Sequence, residues 1–303
     1  MIARCVASLR VWGEMVKFSH SIFALPFALM AAFLAGRHLP DGRPGALHLV
    51  LIVVCMVAAR SAAMTFNRIV DAAIDARNPR TENRPLPSGR LGMSQAWMFL
   101  GLSTLTYAAG CFSFYFLLAN RWPMLLGAPV LAYICAYSYA KRFTRYAHFM
   151  LGSAIALSPV AAWIAVDPAS LGWTAMLLCV AVTLWIGGFD IIYACQDIDA
   201  DRREGLYSMP VQWGPARALT ITRIAHVLVV MLLVVIGLRE QLGWLYHTGV
   251  IAVAVLLVIE NRAVTPTDFS RVNLAFFTMN GLVSIVLGAT TIVDALIHAP
   301  PAH

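Results

Sequence analysis

The chain has 303 residues, of which 60% are hydrophobic and only 12% charged, and its mean hydropathy is +0.75. An ordinary soluble domain carries about 25% charged residues, so a soluble globule is excluded. Lys and Arg number 22 against 15 acidic residues, a formal charge of +7. No basic run interleaves with aromatics as a nucleic-acid surface requires, and the excess is what basic loops between membrane spans produce.

A bilayer core of about 30 Å is crossed by about 20 apolar residues in a helix. In chain order, apolar runs predict nine spans: 18–36, 47–66, 95–118, 122–140, 148–166, 171–192, 217–238, 244–260 and 272–296. These runs are continuous and too long for the alternating segments of an outer-membrane barrel. The first follows Arg4, Arg10 and Lys17, and its length reads as an uncleaved first helix rather than a signal peptide. Pro26, Pro129, Pro159, Gly187 and Gly188 fall inside spans, where they are ordinary. The six cysteines lie far apart with no C-x-x-C pair and read as small buried hydrophobes. The predicted fold class is therefore all-α integral membrane, one domain over 1–303. On alternate sides of this layout, Arg37, Arg43, Arg121 and Arg239 fall on one side and Arg60 within the second span. Every other Lys and Arg falls on the side of the N-terminus. The positive-inside rule then places the N-terminus in the cytoplasm.

The longest polar stretches, 67–93 and 197–216, fall on that side, and together with Asp190 at the end of the preceding span they hold more than half of the acidic residues: Asp71, Asp75, Glu82, Asp190, Asp197, Asp199, Asp201 and Glu204. In Asn67-Arg-Ile-Val-Asp71-Ala-Ala-Ile-Asp75, a four-residue step predicts one helical face with successive polar groups about 6 Å apart along the axis. Tyr193, Asp197 and Asp201 repeat the step, and Asp190 extends it. Asp199 falls off that face and reads as a solvated loop residue. One such ladder alone reads equally well as a solvated helix end. Two with the same spacing and topology point to carboxylates gathered for a purpose. Uncompensated carboxylates repel one another, and a hard cation such as Mg²⁺ neutralises them while pairing with phosphate oxygens. The alternative from a different class is an ion-coupled transporter using the acids as an ion path, which predicts acids near the membrane midplane rather than at one face.

Four stretches together resemble the UbiA family of intramembrane aromatic prenyltransferases. They are Asn67-x-x-x-Asp71-x-x-x-Asp75, Asn83-Arg84-Pro-Leu-Pro-Ser-Gly89, Tyr137-Ser-Tyr-Ala-Lys141-Arg142-Phe-Thr144, and Asp190-x-x-Tyr193-Ala-x-x-Asp197-x-x-x-Asp201. The resemblance implies nine helices around a cavity, capped on the cytoplasmic side by the two acidic loops. It implies Mg²⁺ held by Asp71, Asp75, Asp197 and Asp201, and a polyprenyl diphosphate that ionises at its allylic C–O bond. Asn67, Arg68, Arg84, Lys141 and Arg142 become diphosphate contacts, with Arg suited to bidentate anion binding and Lys to a point charge. Asp190 and Tyr193 become the lining of the aromatic acceptor pocket.

The acceptor implied is a hydroxylated aromatic carboxylate feeding ubiquinone or menaquinone synthesis at a bacterial inner membrane. The stretch Lys17-Phe-Ser-His20 through Ala28 departs from the Asp-Lys-Pro-x-Gly pattern of 4-hydroxybenzoate enzymes. With Arg271-Val-Asn273 through Gly281, it is more similar to the UbiA-like enzymes of futalosine-dependent menaquinone synthesis, whose acceptor is a dihydroxynaphthoate. His20 is a candidate substrate contact.

Overall fold

The computed structural model describes residues 11–15 and 21–298, and the side chains of 21–23, 274 and 275 are not described. Lys17 and His20 therefore lie outside the described residues. Every extended element is helical: α1 (Ser21–Gly36), α2 (Ala46–Asp75), α3 (Met93–Leu118), α4 (Trp122–Ala136), a 3-10 segment (Tyr137–Arg142), α5 (Ala147–Val166) and α6 (Trp173–Ala194). A short 3-10 turn (Cys195–Asp197) leads into α7 (Ile198–Arg203), then α8 (Met209–Arg239), α9 (Trp244–Ala263), a π-helical turn (Leu274–Met279) and α10 (Asn280–Ile297). Among the described residues there is no strand, only an isolated bridge between Thr265 and Asp268. Eight helical segments are long and apolar enough to cross a membrane, and α1 adds a shorter apolar helix.

Two helices extend beyond the predicted spans. No Gly or Pro interrupts 67–75, so α2 runs on through the first ladder, and the loop begins only at Ala76, with Pro79 soon after. Helix α8 begins at Met209 rather than near 217, with a kink where Gly214 takes φ +76° and Pro215 restarts the helix.

The chain folds as two compact units, one of 53–139 with the N-terminal described residues, the other of 22–52 and 140–298. In the first, α3 packs closely on α2 where a Cβ on Gly110 would come within 2.5 Å of Cys55 Sγ. Outward side chains such as Met98, Leu105 and Phe116 are at least two-thirds exposed, an apolar surface of the kind lipid covers.

In the second unit, small residues bring helices into backbone contact, the usual device where lipid removes the hydrophobic drive for helix association. Helix α1 buries an alanine-rich face (Ala24, Ala28, Ala31, Ala35) and sets Pro26 against Gly288 of α10. A Cβ on Gly152 of α5 would strike the carbonyl oxygen of Thr183 in α6, and one on Gly187 of α6 would strike the Phe149 ring. Several polar groups of this unit are paired across helices, as an apolar solvent favours. Asp294 of α10, fully buried, accepts from the N–H of Gly243 (2.7 Å) and of Tyr246 (3.3 Å), and so caps α9 from a neighbouring helix. The indole of Trp185 donates to Asn280 Oδ1 (2.7 Å), and Asn280 Nδ2 donates to Glu260 Oε1 (2.6 Å), linking α6, α10 and α9. Trp173 and Trp244 stand exposed at the first positions of α6 and α9, where interfacial aromatics belong.

Candidate active site

In the first unit the helical spacing of the first ladder is realised. Asn67 Nδ2 donates to Asp71 Oδ2 at 2.9 Å, one turn on. Arg68 Nη1 donates to Asn67 Oδ1 (3.4 Å) and lies 3.9 Å from Asp75 Oδ2. Arg68 and Asp75 are both buried. Asp75 is the last residue of α2, where the helix dipole disfavours a negative charge, so a carboxylate there needs cations close by. The following loop supplies one: Arg84 Nη1 donates to both Asp75 oxygens, each at 2.7 Å.

That loop is tied back on itself, which is how residues nine apart in sequence meet. Thr81 Oγ1 donates to the Asp75 carbonyl (2.8 Å), Ser88 Oγ to the Arg84 carbonyl (2.6 Å), and Gly89 makes the reversal at φ +73°. Arg90 then clasps Asn83 O (2.6 Å) and Glu14 Oε2 (2.8 Å). Asn67, Arg68, Asp71, Asp75 and Arg84 are thus one set joined by hydrogen bonds and ion pairs.

In the second unit the ladder is not one continuous helix. The turn Cys195–Asp197 tightens to 3-10, with about three residues per turn, so the four-residue step of Tyr193, Asp197 and Asp201 does not mark one α-helical face as the sequence reading holds. Asp197 and Asp201 are nonetheless both buried, while Asp199 is exposed as expected. Lys141 Nζ meets Asp201 Oδ2 at 3.2 Å, and the Lys141 carbonyl accepts from the N–H of Tyr207 (2.6 Å), fastening the Tyr137–Arg142 segment to the chain after α7. Lys141 thus turns to Asp201, and Arg142 beside it is exposed. Arg145 lies over the Trp213 ring at 4.6 Å and stacks there rather than meeting the carboxylates. Tyr193 packs on Phe276 with centroids 4.3 Å apart, and Phe276 meets Phe189 edge-on at 5.1 Å, an aromatic wall continued by Trp185. Asp190 accepts a hydrogen bond through Oδ2 from His148 Nδ1 (2.7 Å).

The donor chemistry of both sets is oxygen: carboxylates and one amide. That suits a hard cation, and Mg²⁺ characteristically takes one or two carboxylates and completes its shell with water and phosphate oxygens. Within either unit, no three His, Cys, Asp or Glu groups converge among the described residues. The oxygen donors of each set thus fit Mg²⁺.

Two residues of this region were not singled out from the sequence. His148 stands one position into α5, and its partner Asp190 is 42 residues away, a pairing that no local pattern reveals. Arg60 sits within α2, its Nε buried and without a hydrogen-bond partner among the described residues. It lies seven residues before Asn67, so the two share a helical face about 10 Å apart. An ionisable residue inside a span is itself the signal that marks both.

The described residues thus form helices long and apolar enough to cross a membrane and carry two carboxylate sets, each paired with Arg or Lys. Residues 24–282 match the UbiA prenyltransferase family, and the chain belongs to that family: it is a membrane-embedded prenyltransferase. It is 32% identical over 230 residues to a 4-hydroxybenzoate octaprenyltransferase of Pseudomonas fluorescens (strain SBW25), covering 75% of this chain and 73% of that protein. A protein of the same name from Aliivibrio fischeri (strain MJ11) is 29% identical over 275 residues, covering 90% and 92%. The apo structure of a UbiA homolog from Aeropyrum pernix K1 has a TM-score of 0.80 at 30% identity, covering 91% of this chain and 98% of that one. A UbiA homolog from Archaeoglobus fulgidus, bound to GPP and Mg²⁺, shares the fold with a TM-score of 0.72 at 18% identity over 94% and 99% of the two chains.

Proposed function

We propose that this enzyme transfers a polyprenyl group from its diphosphate to a ring carbon of a hydroxylated aromatic carboxylate, in ubiquinone or menaquinone synthesis. The observation that carries the reading is the paired arrangement within each acidic set: Asp75 held by Arg84 and Arg68, and Asp201 held by Lys141. These are anion-binding cations placed beside carboxylates, the combination a metal-bound diphosphate needs. Asp71, Asp75, Asp197 and Asp201 hold Mg²⁺, and Asn67, Arg68, Arg84, Lys141 and Arg142 receive the diphosphate oxygens. When bound, Mg²⁺ withdraws charge from the diphosphate and makes it a better leaving group. Arg84 and Lys141 shift from carboxylate to phosphate as substrate enters, so the apo ion pairs keep the acids compensated until then. Arg60, a cation about two turns before Asn67 on the same face of α2, holds the carboxylate of the acceptor. Asp190 and Tyr193 line the acceptor pocket, with Tyr193 backed by Phe276.

The single domain spans nine membrane helices with α1 as the first, the N-terminus in the cytoplasm and both acidic sets at the cytoplasmic face. The basic residues named above support this orientation. For the acceptor, the named relatives from Pseudomonas and Aliivibrio support 4-hydroxybenzoate, while the residues at 17–28 and 271–281 support 1,4-dihydroxy-6-naphthoate. The test is to supply membranes containing the protein with Mg²⁺, a long-chain prenyl diphosphate and each acceptor in parallel, and to follow product by mass. Prenylated product from either acceptor supports the reading and names the branch. Product from neither, in folded protein, overturns it.

A further inference from the structure

We infer that His148 is the positioning residue that fixes Asp190 as the hydrogen-bond acceptor for a hydroxyl of the aromatic substrate. His148 is completely buried at the start of α5 and uses both ring nitrogens. Its Nε2 accepts from the backbone N–H of Met209 at 3.3 Å, so Nε2 carries no proton. The proton of the neutral ring is then on Nδ1, and it is donated to Asp190 Oδ2 at 2.7 Å. One ring thus converts a backbone N–H at the first turn of α8 into a directed donor toward α6.

The geometry has consequences for Asp190. Its Oδ2 is engaged, while Oδ1 has no hydrogen-bond partner among the described residues, and the side chain is 19% exposed. The oxygen left over can accept but not donate, so it recognises an O–H and repels a second carboxylate. A phenolic hydroxyl bonded in this way pushes electron density into its ring, which favours attack from a ring carbon. The His–Asp distance is set by the backbone contact of α5 and α6 at Gly152 and Gly187, one turn from His148 and Asp190 respectively. A carboxylate held from behind loses little freedom when substrate arrives, which is what orientation by a second group supplies.

This inference rests on the acceptor reading above, and the experiment separates the two. Because Asn places an amide near Nδ1 of the replaced ring and Gln places one near Nε2, the variants His148→Asn, His148→Gln and His148→Leu divide the two contacts. In detergent-purified protein, binding of 4-hydroxybenzoate is compared with benzoate, and 1,4-dihydroxy-6-naphthoate with 2-naphthoate, alongside steady-state kinetics. The wild type should favour the hydroxylated member of one pair by about tenfold or more, as a hydrogen bond to a charged group gives. His148→Leu and Asp190→Asn should lose that preference, with KM for the prenyl diphosphate within about twofold of wild type. His148→Asn should recover much of the preference and His148→Gln little of it. Unchanged hydroxyl preference in a folded His148→Leu protein, equal failure of Asn and Leu, or equal shifts in both substrates' KM would overturn the inference. A wild type that binds no hydroxylated aromatic acid would also overturn it. Preference that follows His148 without any prenyl transfer would instead sink the proposed reaction.

Discussion

At the scale of single residues, the acids divide by what holds them. Asp75 has both oxygens on Arg84, and Asp71 accepts a hydrogen bond from the Asn67 amide. Replacing Asp71 or Asp197 with Ala should reduce prenyl transfer at least about 100-fold, with the protein still monodisperse by size exclusion. Arg84→Ala should act twice over. It leaves a buried carboxylate at the C-terminus of α2 with Arg68 at 3.9 Å as its cation, and it weakens the diphosphate site. A lower thermal midpoint together with a raised KM for the prenyl diphosphate is the expected pair of results, and a change in only one would separate the roles. Arg60→Gln should raise KM for the aromatic carboxylate and leave that for the diphosphate unchanged. The spacing of Asn67, Asp71 and Asp75 was legible because a helix converts a step of four into one face. The pairing of His148 with Asp190, and the choice of Lys141 over Arg142 to meet Asp201, were not, because both depend on how separate segments pack.

At the scale of elements, the apolar runs located α2 to α6, α9 and α10 closely, since continuous hydrophobicity over a bilayer's width has one stable helical reading. The ends were harder to place. The second span is predicted to end at 66, yet α2 continues through Asp75 because nothing in it breaks a helix. In the second ladder the 3-10 turn at Cys195–Asp197 carries no Gly or Pro to announce it. Helix pairing was beyond local pattern altogether: Gly152 and Gly187 look like any glycines until α5 and α6 meet. Gly152→Val, which would drive a side chain into the Thr183 carbonyl, should sharply lower the yield of folded protein. Asp294→Ala removes the cap of α9 from a site remote in sequence. Losing a cap costs about 1 kcal/mol, more where no water replaces it. A thermal midpoint lowered by a few degrees, with catalytic constants near wild type, is the expected outcome in a melting experiment.

For the whole molecule, composition alone excluded a soluble protein, and two acidic sets beside basic residues, matched by the family relationship, define a prenyltransferase. An ion-coupled transporter, the rival reading of the same acids, requires them along a path across the bilayer. Here Asp75 closes α2 and Asp197 follows α6, both at helix ends. The most direct measurement reconstitutes the purified protein in liposomes with a prenyl diphosphate and its aromatic acceptor, and counts released diphosphate against prenylated product with Mg²⁺ and after chelation. One diphosphate per product with Mg²⁺, and neither with chelator or in the Asp71→Ala and Asp197→Ala proteins, is the predicted result. Product formed equally well without a divalent cation, or diphosphate left intact while ions cross the membrane, would contradict the account.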